Sequence, residues 1–356
     1  MQIQATEAQS AGPAELHFSG DNGEVDRIIE RLMEIVGGIH HPDFVREMIL
    51  AALKAGQENQ EKADLKLMNS TLKELRFTSR VFGRYRDARK VTIFGSARVD
   101  PEAPTYGLAS QLGRKLAEAG YMVITGGGGG IMQAGNEGAG PEKSFGVSIR
   151  LPFENQPNYV VDGTPRSITY KYFFNRKVAF IKEADAVALF PGGFGTLDEA
   201  MEVLTLVQTG KRYPIPLVLV DEPGGTYWSH WKVYLERELV ARGYISPDDL
   251  SLFSMVQSAE EAVRIIDRFY RRYHSLRFVG ERLVIRMNSP LDPRDVSAMR
   301  ARFADMLNSR GEFFLSDALP EEADEPRIAH LPRLVLDFNR RGYSRLRQLI
   351  DSINDA

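Results

Sequence analysis

The chain has 356 residues, 43% hydrophobic and 26% charged, with a formal net charge of -3. That is an ordinary globular composition with room for about two domains, and no global field recruits nucleic acid or an anionic membrane. There are no cysteines, which excludes disulfides, thiolate nucleophiles and cysteine-held metals. No apolar run reaches the roughly 18 residues of a membrane span. The segment from Met1 to Gly20 lacks the basic-then-apolar order of a signal peptide, so the expected location is cytoplasmic.

Residues 1–20 are polar and rich in Gly, Pro, Ser and Gln, and are expected to be poorly ordered. Residues 21–86 show helical spacing without strand-like alternation, in Asp26–Val36, Phe44–Ala55 and Ala63–Phe82. This region reads equally as an oligomerisation or regulatory appendage and as a helical cover. From about residue 87 to 275 short β-rich runs alternate with helical stretches. The runs are Val91–Phe94, Tyr121–Thr125, Phe145–Ile149, Asp185–Phe190 and Ile215–Val220. Tyr106–Ala119, Ile131–Ala139, Tyr227–Arg242 and Glu260–Tyr273 read as helices. Apolar strands alternating with helices predict an α/β domain, Rossmann-like, with a mostly parallel sheet and helices on both faces. Residues 276–356 read as a small α+β module, with strands at Glu281–Met287, Glu312–Ser316 and Arg333–Phe338. Its helices are placed at Pro293–Asn308 and Ser344–Ile353. The module holds 13 Arg against 13 Asp plus Glu and no Lys, the balance of a self-paired surface.

Three of the predicted strands end in glycine turns: Gly95-Ser96-Ala97-Arg98, Gly126 to Gly130, and Pro191-Gly192-Gly193-Phe194-Gly195-Thr196. In a parallel sheet such turns converge on one crevice. The third opens a helix whose apolar residues are Leu197, Met201, Leu204 and Val207, so its amides and the helix dipole make an anion seat. Asp198 and Glu199 follow at once, which phosphate binding alone does not call for. The P-loop string is absent. The dinucleotide fingerprint fails because, counting from Gly126, Gly127 or Gly128, its last glycine falls on Ile131, Met132 or Gln133. A mononucleotide fits better. The six histidines are scattered and no metal-ligand spacing occurs, so neither metal nor cofactor is expected.

Pro191-Gly-Gly-Phe-Gly-Thr-Leu-Asp-Glu199 resembles the PGGxGTxxE signature of the Lonely Guy (LOG) family of nucleoside 5′-monophosphate phosphoribohydrolases, long mislabelled as lysine decarboxylases. Gly95-Ser-Ala-Arg98, Thr125-Gly-Gly-Gly128, Gly130-Ile-Met132, Leu151-Pro-Phe-Glu154 and Phe173-Phe-Asn-Arg-Lys177 extend the resemblance over about Lys90 to Tyr273. The flanks outside it mark a long, bacterial-type form. The resemblance implies Arg176 and Glu199 as the catalytic pair, and a phosphate held by Gly192, Gly193, Gly195 and Thr196. It also places base and ribose against Gly95, Ser96, Gly127 and Gly128. One departure is Gly129, where many members carry Pro. The implied reaction is hydrolysis of the N-glycosidic bond of a nucleoside monophosphate, of AMP or cytokinin riboside type, to free base and ribose 5-phosphate.

The residues alone leave other readings open. Arg176 and Glu199 also read as a structural ion pair, Asp198 as a helix-start carboxylate, and Lys177 as a phosphate contact or a solvated helix face. A non-catalytic nucleotide sensor is the alternative function. A lysine decarboxylase is disfavoured, since nothing around Lys171, Lys177 or Lys182 builds a pyridoxal phosphate pocket. The resemblance further implies a homo-oligomer, dimer or higher. Ile28–Val36 and Met201–Val207 are the candidate contacts.

Overall fold

The computed structural model describes residues 22–151 and 156–356. The expected tail and residues 152–154 of the Leu151-Pro-Phe-Glu154 string lie outside the described residues. The chain divides into two compact units, residues 1–73 and 74–356.

The described part of the first unit is helical: α1 (Glu24–Val36), α2 (Pro42–Glu58) and the start of α3 (Lys62–Phe82). Gly37 ends α1 with a left-handed φ of 65°, a conformation that glycine adopts without a Cβ penalty. Arg46 joins α2 to α1 through both oxygens of Asp26, at 2.9 and 2.7 Å. Ile28, Leu32, Ile35 and Val36 lie exposed along α1.

The second unit contains two sheets. The larger is built from β1 (Lys90–Phe94), α4 (Pro104–Glu118), β2 (Met122–Thr125), α5 (Ile131–Ala139), β3 (Ser144–Ile149), β4 (Ser167–Tyr170), α6 (Phe173–Lys182), β5 (Ala186–Leu189), α7 (Phe194–Gln208), β6 (Leu217–Val220), α8 (Tyr227–Tyr234), β7 (Ser254–Val256) and α9 (Ala259–Phe269). Its seven strands run parallel in the order β4-β3-β2-β1-β5-β6-β7. Each central strand is buried on both faces, which explains their continuous apolar runs. Val91 and Ile93 face a core shared with α4, α5 and α9. Phe94, Ile124 and Leu189 face the other core, with α6, α7, α8 and the end of α3. Val203 and Val207 of α7 are buried there, and Met201, Leu204 and Leu206 of the same candidate contact segment are partly buried against that core. The helix expected at Tyr227–Arg242 is α-helical only to Tyr234 and widens to a π-helix over Leu235–Val240.

The smaller sheet comprises β8 (Tyr273–Val279), β9 (Arg282–Met287), α10 (Pro293–Arg302), β10 (Phe313–Ser316), β11 (Arg333–Leu336) and α11 (Tyr343–Asp355). It is antiparallel in the order β10-β11-β9-β8 and has its own core, centred on Ile285, Leu334, Leu336, Leu346 and Ile350. β8 starts at Tyr273, where the sequence predicts a helix running on to that residue. Asn354 of α11 explains the difference: its Oδ1 accepts the amides of Arg272 and Tyr273, each at 2.9 Å, and draws the chain out of helix. Arg277, Arg282, Arg286, Arg333, Arg345 and Arg347 pair with acids of the same module. Glu322, fully buried, accepts from Arg286 at 2.6 Å and from Arg333 at 3.2 Å. Among the described residues no helix is long and apolar enough to cross a membrane.

α4 and α5 meet through glycines. A Cβ on Gly138 would fall 1.8 Å from the Ser110 carbonyl oxygen, whereas one on Gly107 would meet nothing within 4 Å. Gly138→Ala is therefore expected to destabilise by about 2–3 kcal/mol through overpacking. Gly107→Ala, in the exposed first turn of α4, should stabilise by about 0.5–1 kcal/mol. Urea denaturation of the two variants, followed by circular dichroism, checks the contrast.

Candidate active site

The chain builds β1 to β4 outward on one side of the sheet, then returns to place β5 on the other side of β1. The C-terminal ends of β1 and β5 therefore flank the topological switch point, where crevices form in such sheets. The turns after β1, β2 and β5 interlock there. Ser96 donates its amide to the Pro191 carbonyl (3.1 Å), and its carbonyl accepts from Ile131 (3.1 Å). A Cβ on Gly95 would lie 2.6 Å from Ile131, one on Gly130 would lie 2.4 Å from the Ser96 oxygen, and one on Gly192 would lie 2.2 Å from Thr196 Oγ1. Gly127 and Gly130 also have left-handed φ values of 71° and 59°. From α8, the Tyr227 hydroxyl donates to the Gly192 carbonyl at 2.6 Å.

The crevice has two adjoining lobes that share Ala97, Gly126, Met132 and Arg176. The first, of about 730 Å³, is lined by Gly95, Ser96, Gly192, Gly193, Gly195, Thr196, Arg176 and Glu199, with Phe94, Arg98, Phe180 and Phe194 among the others. The first backbone bonds of α7 run from Thr196 and Leu197 to the Gly193 carbonyl. The amides of Phe194 and Gly195 precede them as the orphan donors of the helix start. A Cβ at Gly193 or Gly195 would meet nothing within 4 Å. The second lobe, of about 620 Å³, is lined by Gly127, Gly128, Ser148, Arg150, Thr169 and Phe173, together with Ile149, Leu151, Gln156 and Pro157. Asn158 fixes its glycine turn by donating its amide to the Gly127 carbonyl (2.6 Å) and its side chain to the Gly128 carbonyl (3.0 Å).

All ten residues singled out in the sequence line this crevice, eight in the first lobe and Gly127 and Gly128 in the second. Ser148, Arg150, Thr169 and Phe173 were not singled out. Ser148 lies within the third strand, Arg150 directly after it and Thr169 on an edge strand without a motif, so no sequence signal marked these three; Phe173 opens the Phe173–Lys177 string but was given no role there.

Arg176 comes from α6 and Glu199 from the second turn of α7. Arg176 Nε and Glu199 Oε2 are both buried without a hydrogen-bond partner. No ion pair joins the two side chains; Glu199 meets a cation at Lys177, 3.7 Å from Oε1. Lys177 also binds Asp198 (2.8 Å) and Glu202 (2.6 Å). It therefore belongs neither to a solvated face nor to the cavity wall. Burial pushes the Glu199 carboxyl up to about 7; Lys177 and Arg176 oppose this, while Glu202 and Asp198 add to it. Burial also pulls the Arg176 guanidinium down, against the pull of Glu199 and Asp198; it remains charged. Among the described residues no group of three or more His, Asp or Glu side chains is placed to hold a metal ion, and no lysine lines either lobe.

Comparison with known proteins gives this crevice a lineage. A sequence profile described as "Possible lysine decarboxylase" matches residues 129–266. The cytokinin riboside 5′-monophosphate phosphoribohydrolase LOG7 of Arabidopsis thaliana is 30% identical over 187 residues, covering 51% of this chain and 82% of the relative. The chain belongs to the LOG family. The enzyme of the same name, LOG, from Oryza sativa subsp. japonica is 26% identical over 192 residues, 52% of this chain and 75% of the relative. Among solved structures, the molybdenum cofactor carrier protein of Chlamydomonas reinhardtii overlays with a TM-score of 0.37 at 17% identity, covering 51% of this chain and 97% of that one. The LOG likeness covers about half of the chain.

The Glu199 carboxyl carries a stability signature. Its pKa is raised from 4.5 to about 7 on folding, so the folded state keeps a proton that the unfolded state releases. The stability this group contributes is present below about pH 4.5 and is lost as the pH rises through about 7, by on the order of 3 kcal/mol. Glu199→Gln should lack this decline. Urea denaturation of both proteins at pH 5, 6, 7 and 8 tests this; a constant wild-type-to-variant difference would contradict it.

Proposed function

We propose that the protein hydrolyses the N-glycosidic bond of a nucleoside 5′-monophosphate, releasing free base and ribose 5-phosphate. The observation that carries this reading is a pair of buried, unpartnered polar atoms, Arg176 Nε and Glu199 Oε2, in the cavity that opens at the start of α7. The 5′-phosphate sits on the amides at Gly193–Gly195 with Thr196 beside it, where helix dipole and orphan donors favour an anion. Ribose lies between Gly95, Ser96 and Glu199, and the base enters the lobe lined by Gly127, Gly128, Met132 and Phe173. The mixed lining of that lobe supports an adenine, with or without an apolar substituent.

As the C1′–N bond breaks, positive charge develops on the ribose and the electron pair leaves with the base. The Glu199 carboxylate stabilises that charge and takes a proton from the water whose oxygen bonds to C1′. That proton is then given up to the departing base, directly or through solvent, so the hydroxyl of water ends on C1′, its proton on the base, and Glu199 returns to the carboxylate. Arg176 supplies fixed positive charge to the phosphate side of the cavity. The exposed face of α1 supports self-association of the chain into a homo-oligomer. The absence of lysine from the described lining argues against the decarboxylase that the profile's description names.

A panel of nucleoside monophosphates and matching nucleosides, with free base followed by chromatography, tests the reading. AMP or a cytokinin riboside monophosphate should be cleaved far faster than the nucleoside. Glu199→Gln should lower kcat by about 10²-fold or more. Equal cleavage of AMP and adenosine would overturn the phosphate seat, and nucleotide binding without base release would overturn the hydrolase.

A further inference from the structure

Lys177 follows Arg176 on α6, yet it lines neither lobe of the crevice. Its side chain is only 18% exposed, and its ammonium is surrounded by three carboxylates of one helix. Asp198 Oδ2 is at 2.8 Å, Glu202 Oε2 at 2.6 Å and Glu199 Oε1 at 3.7 Å. Positions 198, 199 and 202 fall on one side of α7 within about a turn. Glu199 therefore has one oxygen turned to Lys177 and the other, Oε2, buried without a partner. From this geometry we infer that Lys177 is a positioning residue: it ties α6 to α7, holds Glu199 by Oε1, favours its carboxylate form, and leaves Oε2 directed at the substrate. The inference rests on the proposed hydrolase reading of the site.

The charges around Glu199 set the sign of the effect. Lys177 and Arg176 on α6 favour its carboxylate; Asp198 and Glu202 on its own helix disfavour it, and burial disfavours it most. Lys177 stays protonated throughout: burial pulls it down, but the bonds to Asp198 and Glu202 outweigh this and raise it. Removing the ammonium takes away the cation nearest Glu199 and leaves three acids facing one another. Removing the Glu202 charge does the opposite, because the ammonium is then shared by two acids instead of three. The two changes must therefore move the protonation of Glu199 in opposite directions.

The test is the pH dependence of kcat/KM for a cleaved nucleoside monophosphate, with the full-length protein and the variants Lys177→Met, Lys177→Arg and Glu202→Gln. The acid limb should move to higher pH by about one unit in Lys177→Met. It should return toward the wild-type position in Lys177→Arg and move to lower pH in Glu202→Gln. KM should change less than kcat. A limb that stays in place in Lys177→Met, or a rise in KM alone, would overturn the inference, since the lysine would then be a phosphate ligand or a strut. A ¹³C NMR titration of the Glu199 carboxyl, assigned by its loss in Glu199→Gln, reads the same shift without turnover. If the wild-type protein releases no base from any nucleotide, the hydrolase reading fails. The titration then still decides whether Lys177 governs Glu199.

Discussion

The close approach of three strand-end turns is the constraint on which the crevice depends. Ser96 lies at its centre, bonded through its amide to the turn after β5 and through its carbonyl to the start of α5. That contact requires Gly95, Gly130 and Gly192, each of which would place a Cβ inside a neighbour. The glycines of the crevice thus fall into two groups with different physical reasons. Gly95, Gly127, Gly130 and Gly192 are required by packing or by a left-handed backbone. Gly193 and Gly195 have open space where a side chain would stand, and their absence of Cβ is left unexplained by the protein itself. The anion proposed for these amides would account for it. The entropy that glycine costs a helix start is offset only when something must come close to the backbone.

Buried charge is handled in two ways in the same unit. Glu322, Arg286 and Arg333 are as buried as any charges in the molecule, and each is bonded to a partner within the smaller sheet's module. Such clusters satisfy their own desolvation. Glu199 and Arg176 lie under comparable burial with Oε2 and Nε unpaired. Leaving buried polar atoms unsatisfied is destabilising; Arg212 Nε and Asp337 Oδ2 share this state outside the crevice, but among the described residues only at Arg176 and Glu199 do two such charged groups line one cavity. Under the proposed function their partners would arrive with the substrate.

The larger sheet was legible because its central strands are buried on both faces and end in glycine turns, so β1, β2, β3, β5 and β6 stand out as apolar runs. β4 and β7 did not stand out. Each is an edge strand of three or four residues, and Ser167-Ile-Thr-Tyr170 buries only Ile168 and Tyr170, too short a run to stand out as an apolar strand. The boundary at Tyr273 depends on Asn354, more than eighty residues away, which no local pattern encodes. In the crevice, the glycine signatures and the Arg176–Glu199 pair were visible as motifs. Ser148, Arg150 and Thr169 were not, because they reach the cavity through strand order. Lys177 was visible but ambiguous: spacing puts it beside Arg176, and only the packing of α6 on α7 shows which way its ammonium faces.

α7 then links the site to the rest of the unit. Its first turn holds the open amides and its second holds Glu199; its far end, about 22 Å away at 1.5 Å per residue, closes at Gln208–Gly210. There Gln208 donates to Asp249 at 2.6 Å, Ser344 of α11 donates to the same carboxylate, and the Tyr343 ring covers Gly210. Arg347 of α11 reaches the Ile215 carbonyl at 3.2 Å. The smaller sheet's module is thereby fastened to the helix that carries Glu199, at the end opposite the crevice. A helix pinned at its C-terminal end by a second core and tied at its N-terminal turns by Lys177 has little freedom to slide along its axis. The position of Glu199 relative to the open amides is accordingly set by packing on two sides, as the proposed phosphate seat and carboxylate would require.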